Sequence, residues 1–153
     1  MIKENTTDII VCAQSMDPLV PGRGMGHVLP ESLKEAGAEA LFLNHAENPK
    51  TVSDLYATIK RAKELDMITV VCADSVVEAK AVACMDPDIV LAEPTDLIGT
   101  GQVADDSYTI ETVKALNAIN PNVLVMIASG VSTAEDCYNV VKLGADGTGA
   151  TSG

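Results

Sequence analysis

The stretch DIVLAEPTDLIGTG, residues 88–101, decides the fold of this chain. It begins with an unbroken aliphatic run, which is typical of a parallel β-strand that is covered on both faces. Glu93 ends the run, and Pro94 then removes the backbone donor that a longer strand would need. The stretch therefore predicts a buried strand with a carboxylate at its carboxyl end, followed by a glycine-containing loop.

Similar runs recur along the chain and alternate with segments of helical periodicity. They comprise residues 8–14, 39–45, 67–73, 88–94 and 123–129, and a weaker sixth lies in the glycine-rich tail at 144–153. Strands that alternate with helices pair in parallel through right-handed crossovers. The pattern predicts an α/β fold with about six parallel strands, either in a doubly wound sheet or in part of a (β/α)8 barrel. The length of the chain indicates a single domain, residues 1–153.

Capping and stop signals predict where the helices begin and end. The predicted starts are Thr51 with Asp54, Ser75 with Glu78, Ser132 with Glu135, and Pro30, and the predicted ends are Gly37, Asn120 and Gly144. In the helix after Thr51, the residues predicted to face the core are Leu55, Tyr56, Ile59 and Ala62.

Composition and charge narrow the range of functions. The formal net charge of −12 argues against nucleic acid and anionic membranes as partners, because neutralising their phosphates requires clustered Lys and Arg. No apolar run approaches the ~20 residues that cross a bilayer, and the N-terminus lacks the apolar segment of a signal peptide. These features predict a cytoplasmic protein. Four widely spaced cysteines, Cys12, Cys72, Cys84 and Cys137, are predicted to be reduced and in or near the core, with no metal or other cofactor.

The carboxyl ends of parallel strands are where ligands bind in either α/β architecture. Glu93 at such an end is either a general base whose pKa is raised by desolvation or a rim carboxylate paired with Lys or Arg. The loop after it, residues 94–104, is long and contains two glycines, which predicts a lid. His45 ends another strand, either as an imidazole that is hydrogen-bonded to a neighbour or as a residue of the ligand site. Glu47 is either its orienting partner or an ordinary carboxylate at a helix start.

Two glycine-containing turns at the last strand ends predict anion sites. One comprises Gly130, Ser132 and the helix start at Thr133, and the other is the tail with Thr151 and Ser152. Backbone N–H groups at such turns can bind a phosphate even in an acidic chain. Two such turns at consecutive strand ends favour a phosphate ligand, because the last two loops of (β/α)8 barrels frequently form a phosphate site.

Four motifs in this order resemble the triosephosphate isomerase family, most closely its archaeal-type branch. They are LFLNHAEN (41–48), LAEPTDLIGTG (91–101), ASGVST (128–133) and GATSG (149–153), and residues 13–38 resemble the third strand, loop and helix of that branch. The resemblance implies a partial TIM barrel and an aldose–ketose isomerase acting on a triose phosphate without a cofactor. It also implies a dimer or tetramer, with residues 20–26 at the subunit contact, although the same residues would also fit a flexible glycine-rich loop.

The resemblance implies specific roles for residues of this chain. Glu93 matches the catalytic base and His45 the histidine that polarises the substrate carbonyl, while residues 94–104 match the mobile lid. The residues that match contacts with the substrate phosphate are Ile98, Gly99, Gly130, Thr151 and Ser152.

Two features depart from the family pattern. Ala46 stands where the family usually has serine, and no residue matches the Asn and Lys of the family's first strand. The resemblance starts at the third strand and stops just after the eighth, so the chain is expected to be a fragment without the first two strands and the last helix. Weak or no activity of the fragment alone is expected, because the lysine that would attract a dianionic substrate is missing.

Two functions other than that of an isomerase are compatible with the sequence. A metal-dependent sugar-phosphate epimerase or another phosphate-handling barrel would require several histidine and aspartate ligands, whereas this chain has only His27 and His45. A truncated homologue without catalytic activity, which binds a phosphate ligand or a partner chain, would fit the same motifs.

Overall fold

A computed structural model describes residues 2–94, 105–128 and 130–150. Six strands lie within these ranges: β1 (Cys12–Ala13), β2 (Ala40–Leu43), β3 (Ile68–Ala73), β4 (Ile89–Ala92), β5 (Leu124–Ile127) and β6 (Gly147–Thr148). They form one sheet in sequence order, and the pairs β1–β2, β4–β5 and β5–β6 are parallel. The α/β fold with about six parallel strands is confirmed.

Helices connect the strands, as the alternating pattern predicts. They are α1 (Pro30–Glu35), α2 (Val52–Glu64), α3 (Val76–Ala83), α4 (Asp106–Ile119) and α5 (Ala134–Lys142), and a short 3-10 turn covers Lys3–Asn5. No helix in the described ranges is long and apolar enough to cross a membrane.

The predicted helix ends agree with the structure in most cases. Thr51 and Ser75 cap α2 and α3, because each hydroxyl accepts the backbone N–H three residues later. Gly37 and Gly144 follow the ends of α1 and α5 with φ of +93° and +109°, a left-handed conformation that glycine adopts without steric cost.

The chain divides into two compact units, Met1–Val70 and Val71–Gly153, and the boundary falls within β3. The core of the first unit contains Leu41, Leu43, Leu55 and Ile59. The core of the second contains Val90, Leu116, Val125 and Ile127. Both cores are aliphatic, as expected for a chain with one phenylalanine and no tryptophan. That the chain is a single domain stays a prediction.

Two burial predictions are wrong. Tyr56 of α2 is exposed, and the buried residues of that helix are Leu55, Thr58, Ile59 and Ala62, which lie three to four residues apart. Thr58 can be buried because its hydroxyl donates to the Asp54 carbonyl at 2.6 Å. Cys84 is exposed at the C-terminal end of α3, whereas Cys72 is buried in β3 and the other two cysteines are half-buried.

The predicted start of α5 is wrong by one residue. Thr133, not Ser132, is the N-cap, and it has extended backbone angles. Its hydroxyl accepts from Asp136 N while Asp136 accepts from Thr133 N, so these two residues form the reciprocal capping box. Ser132 with Glu135 has the same sequence spacing, but the geometry selects the next pair.

Candidate active site

His45 lies in a closed turn directly after β2. The turn starts at Asn44, which has a φ of +58°, and its side-chain Oδ1 accepts the backbone N–H of Lys50 at 3.0 Å. The His45 carbonyl accepts the N–H of Asn48 at 2.8 Å. These bonds fix the backbone on both sides of the histidine at the carboxyl end of β2, where the sequence predicts it.

The imidazole of His45 is oriented by one backbone bond. Its Nδ1 accepts the N–H of Glu47 at 3.2 Å, and the side chain remains 38% exposed. Because Nδ1 acts as the acceptor, the proton of the neutral ring lies on Nε2. Glu47 contacts the ring through its backbone N–H, whereas its carboxylate is 3.9 Å from Nδ1 and 90% exposed.

Two further contacts join the His45 turn to Ser15 and Asp17. Asn48 Nδ2 donates to Ser15 Oγ at 3.1 Å, and Lys50 Nζ lies 3.5 Å from Asp17 Oδ1. The Lys50 side chain is only 9% exposed. Asp17 and Lys50 are not predicted from sequence, because a contact between residues so far apart along the chain has no local signature.

Asp17 is an ionised carboxylate with several partners. The hydrogen bond from Val28 N, at 2.8 Å, makes the largest contribution to lowering its pKa below the usual value. Partial burial opposes this shift, while the charge of Lys50 and the nearby His27 add to it. These contacts keep Asp17 negatively charged next to Lys50 of the His45 turn.

Glu93 follows β4 directly and is half-buried. Its backbone N–H donates to the Ala73 carbonyl at 2.8 Å, and the Ala92 carbonyl accepts from Ala128 N at 3.1 Å. These bonds continue the sheet to the ends of three adjacent strands. Among the described residues no Lys or Arg forms an ion pair with Glu93.

The turn before α5 is already occupied by a carboxylate. Gly130 has a φ of +73°, and the N–H groups of Ser132 and Thr133 both donate to Asp136 Oδ2, at 3.1 and 2.9 Å. The Thr133 hydroxyl and these two backbone bonds lower the pKa of Asp136. A phosphate at this turn would therefore have to use backbone N–H groups other than those of Ser132 and Thr133.

A groove of about 360 Å³ lies between the start of α4 and α5 in the second unit. Its lining includes three carboxylates, Asp105, Asp106 and Asp136. Such a lining repels a phosphate dianion, so the groove is not suited to the ligand that the glycine-rich turns predict.

The structure describes only some of the residues that are predicted for the site. His45 lies in the first unit, and Glu93 and Gly130 lie in the second. The predicted residues Ile98, Gly99, Thr151 and Ser152, and the lid that follows Pro94, lie outside the described residues.

Comparison with known proteins gives one consistent result. The family described as "Triosephosphate isomerase" matches residues 1–152. A triosephosphate isomerase of Methanocaldococcus jannaschii is 38% identical over all of this chain and 71% of its own length. A triosephosphate isomerase of Methanothermus fervidus is 38% identical over 99% of this chain and 69% of its own length. That of Sulfurisphaera tokodaii is 35% identical over 95% of this chain and 64% of its own length.

Proposed function

The chain belongs to the triosephosphate isomerase family, and we propose that it interconverts dihydroxyacetone phosphate and glyceraldehyde 3-phosphate with Glu93 as base and His45 as electrophile. A glutamate base beside a neutral histidine is the arrangement for which this family is the standard example. The observation that carries the proposal is the bond from Glu47 N to His45 Nδ1, at 3.2 Å.

The reaction moves one proton between two neighbouring carbons and one between their two oxygens, without net oxidation. The Glu93 carboxylate removes a proton from the carbon beside the carbonyl, and the electrons of that C–H bond form the carbon–carbon double bond of an enediolate. The Nε2–H of His45 donates to the carbonyl oxygen as its negative charge develops. Glu93 then returns the proton to the former carbonyl carbon, and the hydroxyl proton passes to the former carbonyl oxygen through His45 Nε2, which gives the isomeric product.

The orientation of His45 suits this role. A neutral imidazole that accepts at Nδ1 presents its single N–H at Nε2, the atom available to a substrate oxygen. Protonation at Nδ1 would place an N–H against the N–H of Glu47 and break that bond. The backbone of the turn thus leaves the Nε2–H as the ring's donor, which is the donor that the proposed chemistry uses.

The phosphate end of the substrate is assigned to Ile98, Gly99, Gly130, Thr151 and Ser152. Support comes from the family motifs that these residues match and from the left-handed turn at Gly130. In a chain of net charge −12, backbone N–H groups are the appropriate donors to a dianion. The lid, residues 94–104, would exclude water, because an exposed enediolate phosphate eliminates its phosphate.

We assign residues 20–26 to contact with a second copy of the chain, in a dimer or tetramer. Met25 is 99% exposed and Val20 is 65% exposed. No Asp or Glu occurs between Asp17 and Glu31, although the chain as a whole is strongly acidic. An apolar, non-acidic projection is suited to contact with another acidic chain.

Isomerase activity tests the proposal directly. The purified chain is assayed alone and after addition of the segment of the M. jannaschii relative that lies outside the match. Glu93→Gln should reduce kcat at least about 1000-fold, because it removes the base, whereas Glu111→Gln, at an exposed position of α4, should leave kcat unchanged. A folded chain without activity in both assays would favour the non-catalytic homologue, and activity that survives Glu93→Gln would exclude Glu93 as the base.

A further inference from the structure

We propose that Asp17 is a positioning residue that couples the exposed loop, residues 18–27, to the orientation of His45. The inference rests on the proposed function, because it assumes that the orientation of His45 matters for activity. It goes beyond that function by assigning a role to a carboxylate and a lysine outside the reacting groups.

The two oxygens of Asp17 bind different parts of the first unit. Oδ2 accepts from Val28 N at 2.8 Å and lies 3.3 Å from His27 Nδ1, so this oxygen closes the end of the loop. Oδ1 lies 3.5 Å from Lys50 Nζ. One carboxylate therefore joins the loop to the turn that holds the histidine.

The link continues from Lys50 to His45 through the backbone. Lys50 N donates to Asn44 Oδ1 at 3.0 Å, and this bond closes the turn in which His45 lies. Inside the same turn, Glu47 N sets the orientation of the imidazole. A displacement of the Lys50 ammonium group would thus move the residue whose backbone N–H defines the turn.

Burial makes this link stiff. The Lys50 side chain is only 9% exposed, so its ammonium group has little access to water and is held at the Asp17 carboxylate, which is 26% exposed. The loop is also held at Leu19, whose carbonyl accepts from Arg61 Nε of α2 at 2.9 Å. Between Leu19 and Val28 the loop is exposed. A partner that contacts residues 20–27 would therefore act on Asp17 through a segment that is fixed at both ends.

The two histidines of the chain make a direct experiment possible. The imidazole nitrogens of ¹⁵N-labelled protein are observed by NMR, and His27→Gln assigns the remaining signals to His45. Wild-type His45 should show the tautomer with its proton on Nε2. Asp17→Asn and Lys50→Met should each shift the His45 signals and populate the other tautomer, while Lys50→Arg should restore the wild-type signals.

A matched control separates coupling from general loss of stability. Asp146 in the second unit also accepts one backbone N–H at 2.8 Å, from Val125, so Asp146→Asn removes a similar bond. This variant should leave the His45 signals unchanged. In the opposite direction, Lys50→Met should accelerate hydrogen exchange of the Val28 amide, which bonds to Asp17 and not to Lys50.

Kinetics link the coupling to catalysis. In active preparations, Asp17→Asn and Lys50→Met should lower kcat about 10-fold with KM changed less than about 2-fold, since misplacement of a reacting group mainly affects the chemical step. Unchanged His45 signals in both variants, or equal shifts in Asp146→Asn, would overturn the coupling. Full activity of His45→Gln would instead overturn the proposed function, and the NMR result would stand independently of it.

Discussion

Single carboxylates organise the loops of this chain. Asp17 and Asp136 each accept backbone N–H groups from a neighbouring loop, and in both cases the bonds lower the pKa of the carboxyl group. A group whose pKa is lowered by folding stabilises the folded state at every pH above its unfolded pKa. The carboxylates that hold these loops thus also contribute to the stability of the protein against acid.

The acid response gives the first prediction at the residue scale. The stabilisation from Asp17 should be fully present above its ordinary pKa of 3.8 and should be lost as the pH falls through the lower, folded value. Asp17→Asn should therefore reduce the free energy of unfolding at pH 7, and this reduction should shrink as the pH falls from 3.8 toward 2. Urea unfolding of both proteins between these pH values measures the difference, and a difference that grows toward low pH would contradict the assignment.

The cysteines give a second prediction at this scale. Burial raises the pKa of the Cys12 thiol to about 11, so roughly one molecule in a thousand carries the reactive thiolate at pH 8. Cys84 is exposed and should be alkylated first. Mass spectrometry after timed exposure to iodoacetamide reports the order, and Cys84→Ser should abolish the earliest adduct. An early adduct on Cys12 would show that this thiol is not protected.

At the level of elements, α5 depends on its first turn. The capping box of Thr133 and Asp136 satisfies N–H groups that the helix cannot bond internally. The same turn holds Gly130, so the start of the helix and the predicted phosphate site share one short segment.

Two parallel substitutions test the position of this cap. Thr133→Ala should lower the free energy of unfolding by about 1 kcal/mol, the usual cost of a lost N-cap. Ser132→Ala should cost much less, because the Ser132 hydroxyl makes only a long bond, 3.4 Å, to the Gly130 carbonyl. Chemical denaturation of the two variants measures both losses in the free energy of unfolding. A larger loss for Ser132→Ala would favour the start predicted from sequence.

Strands and helices are predicted well from sequence where the whole element is buried. They are predicted poorly where burial depends on a neighbouring part of the structure. The run at residues 8–14 predicts a full strand, yet β1 contains only two residues, and Ile9 and Ile10 are exposed. Hydrophobicity shows which residues could be buried, not whether a partner surface is present. Similarly, position at a strand end predicts His45 and Glu93, whereas the Asp17–Lys50 contact appears only in three dimensions.

For the molecule as a whole, net charge opposes the association that we propose for the exposed loop at residues 20–26. Two chains of charge −12 with centres about 30 Å apart repel by about 7 kcal/mol at 0.01 M salt but by only about 1 kcal/mol at 0.1 M. Burying the exposed Val20 and Met25 side chains of both copies would contribute about 6 kcal/mol. Rising salt thus removes most of the repulsion, whereas the contribution from apolar burial changes little.

Association should therefore strengthen as salt rises from 0.01 to 0.1 M. Met25→Asp should weaken it at every salt concentration, because it adds charge and removes apolar area from the loop at residues 20–26. Val52→Asp is the matched control, since it adds the same charge at another exposed apolar side chain, in the first turn of α2. Sedimentation velocity measures the assembly. Equal weakening by both variants would mean that net charge alone controls association, while an assembly that is unaffected by Met25→Asp would place the subunit contact on a different surface.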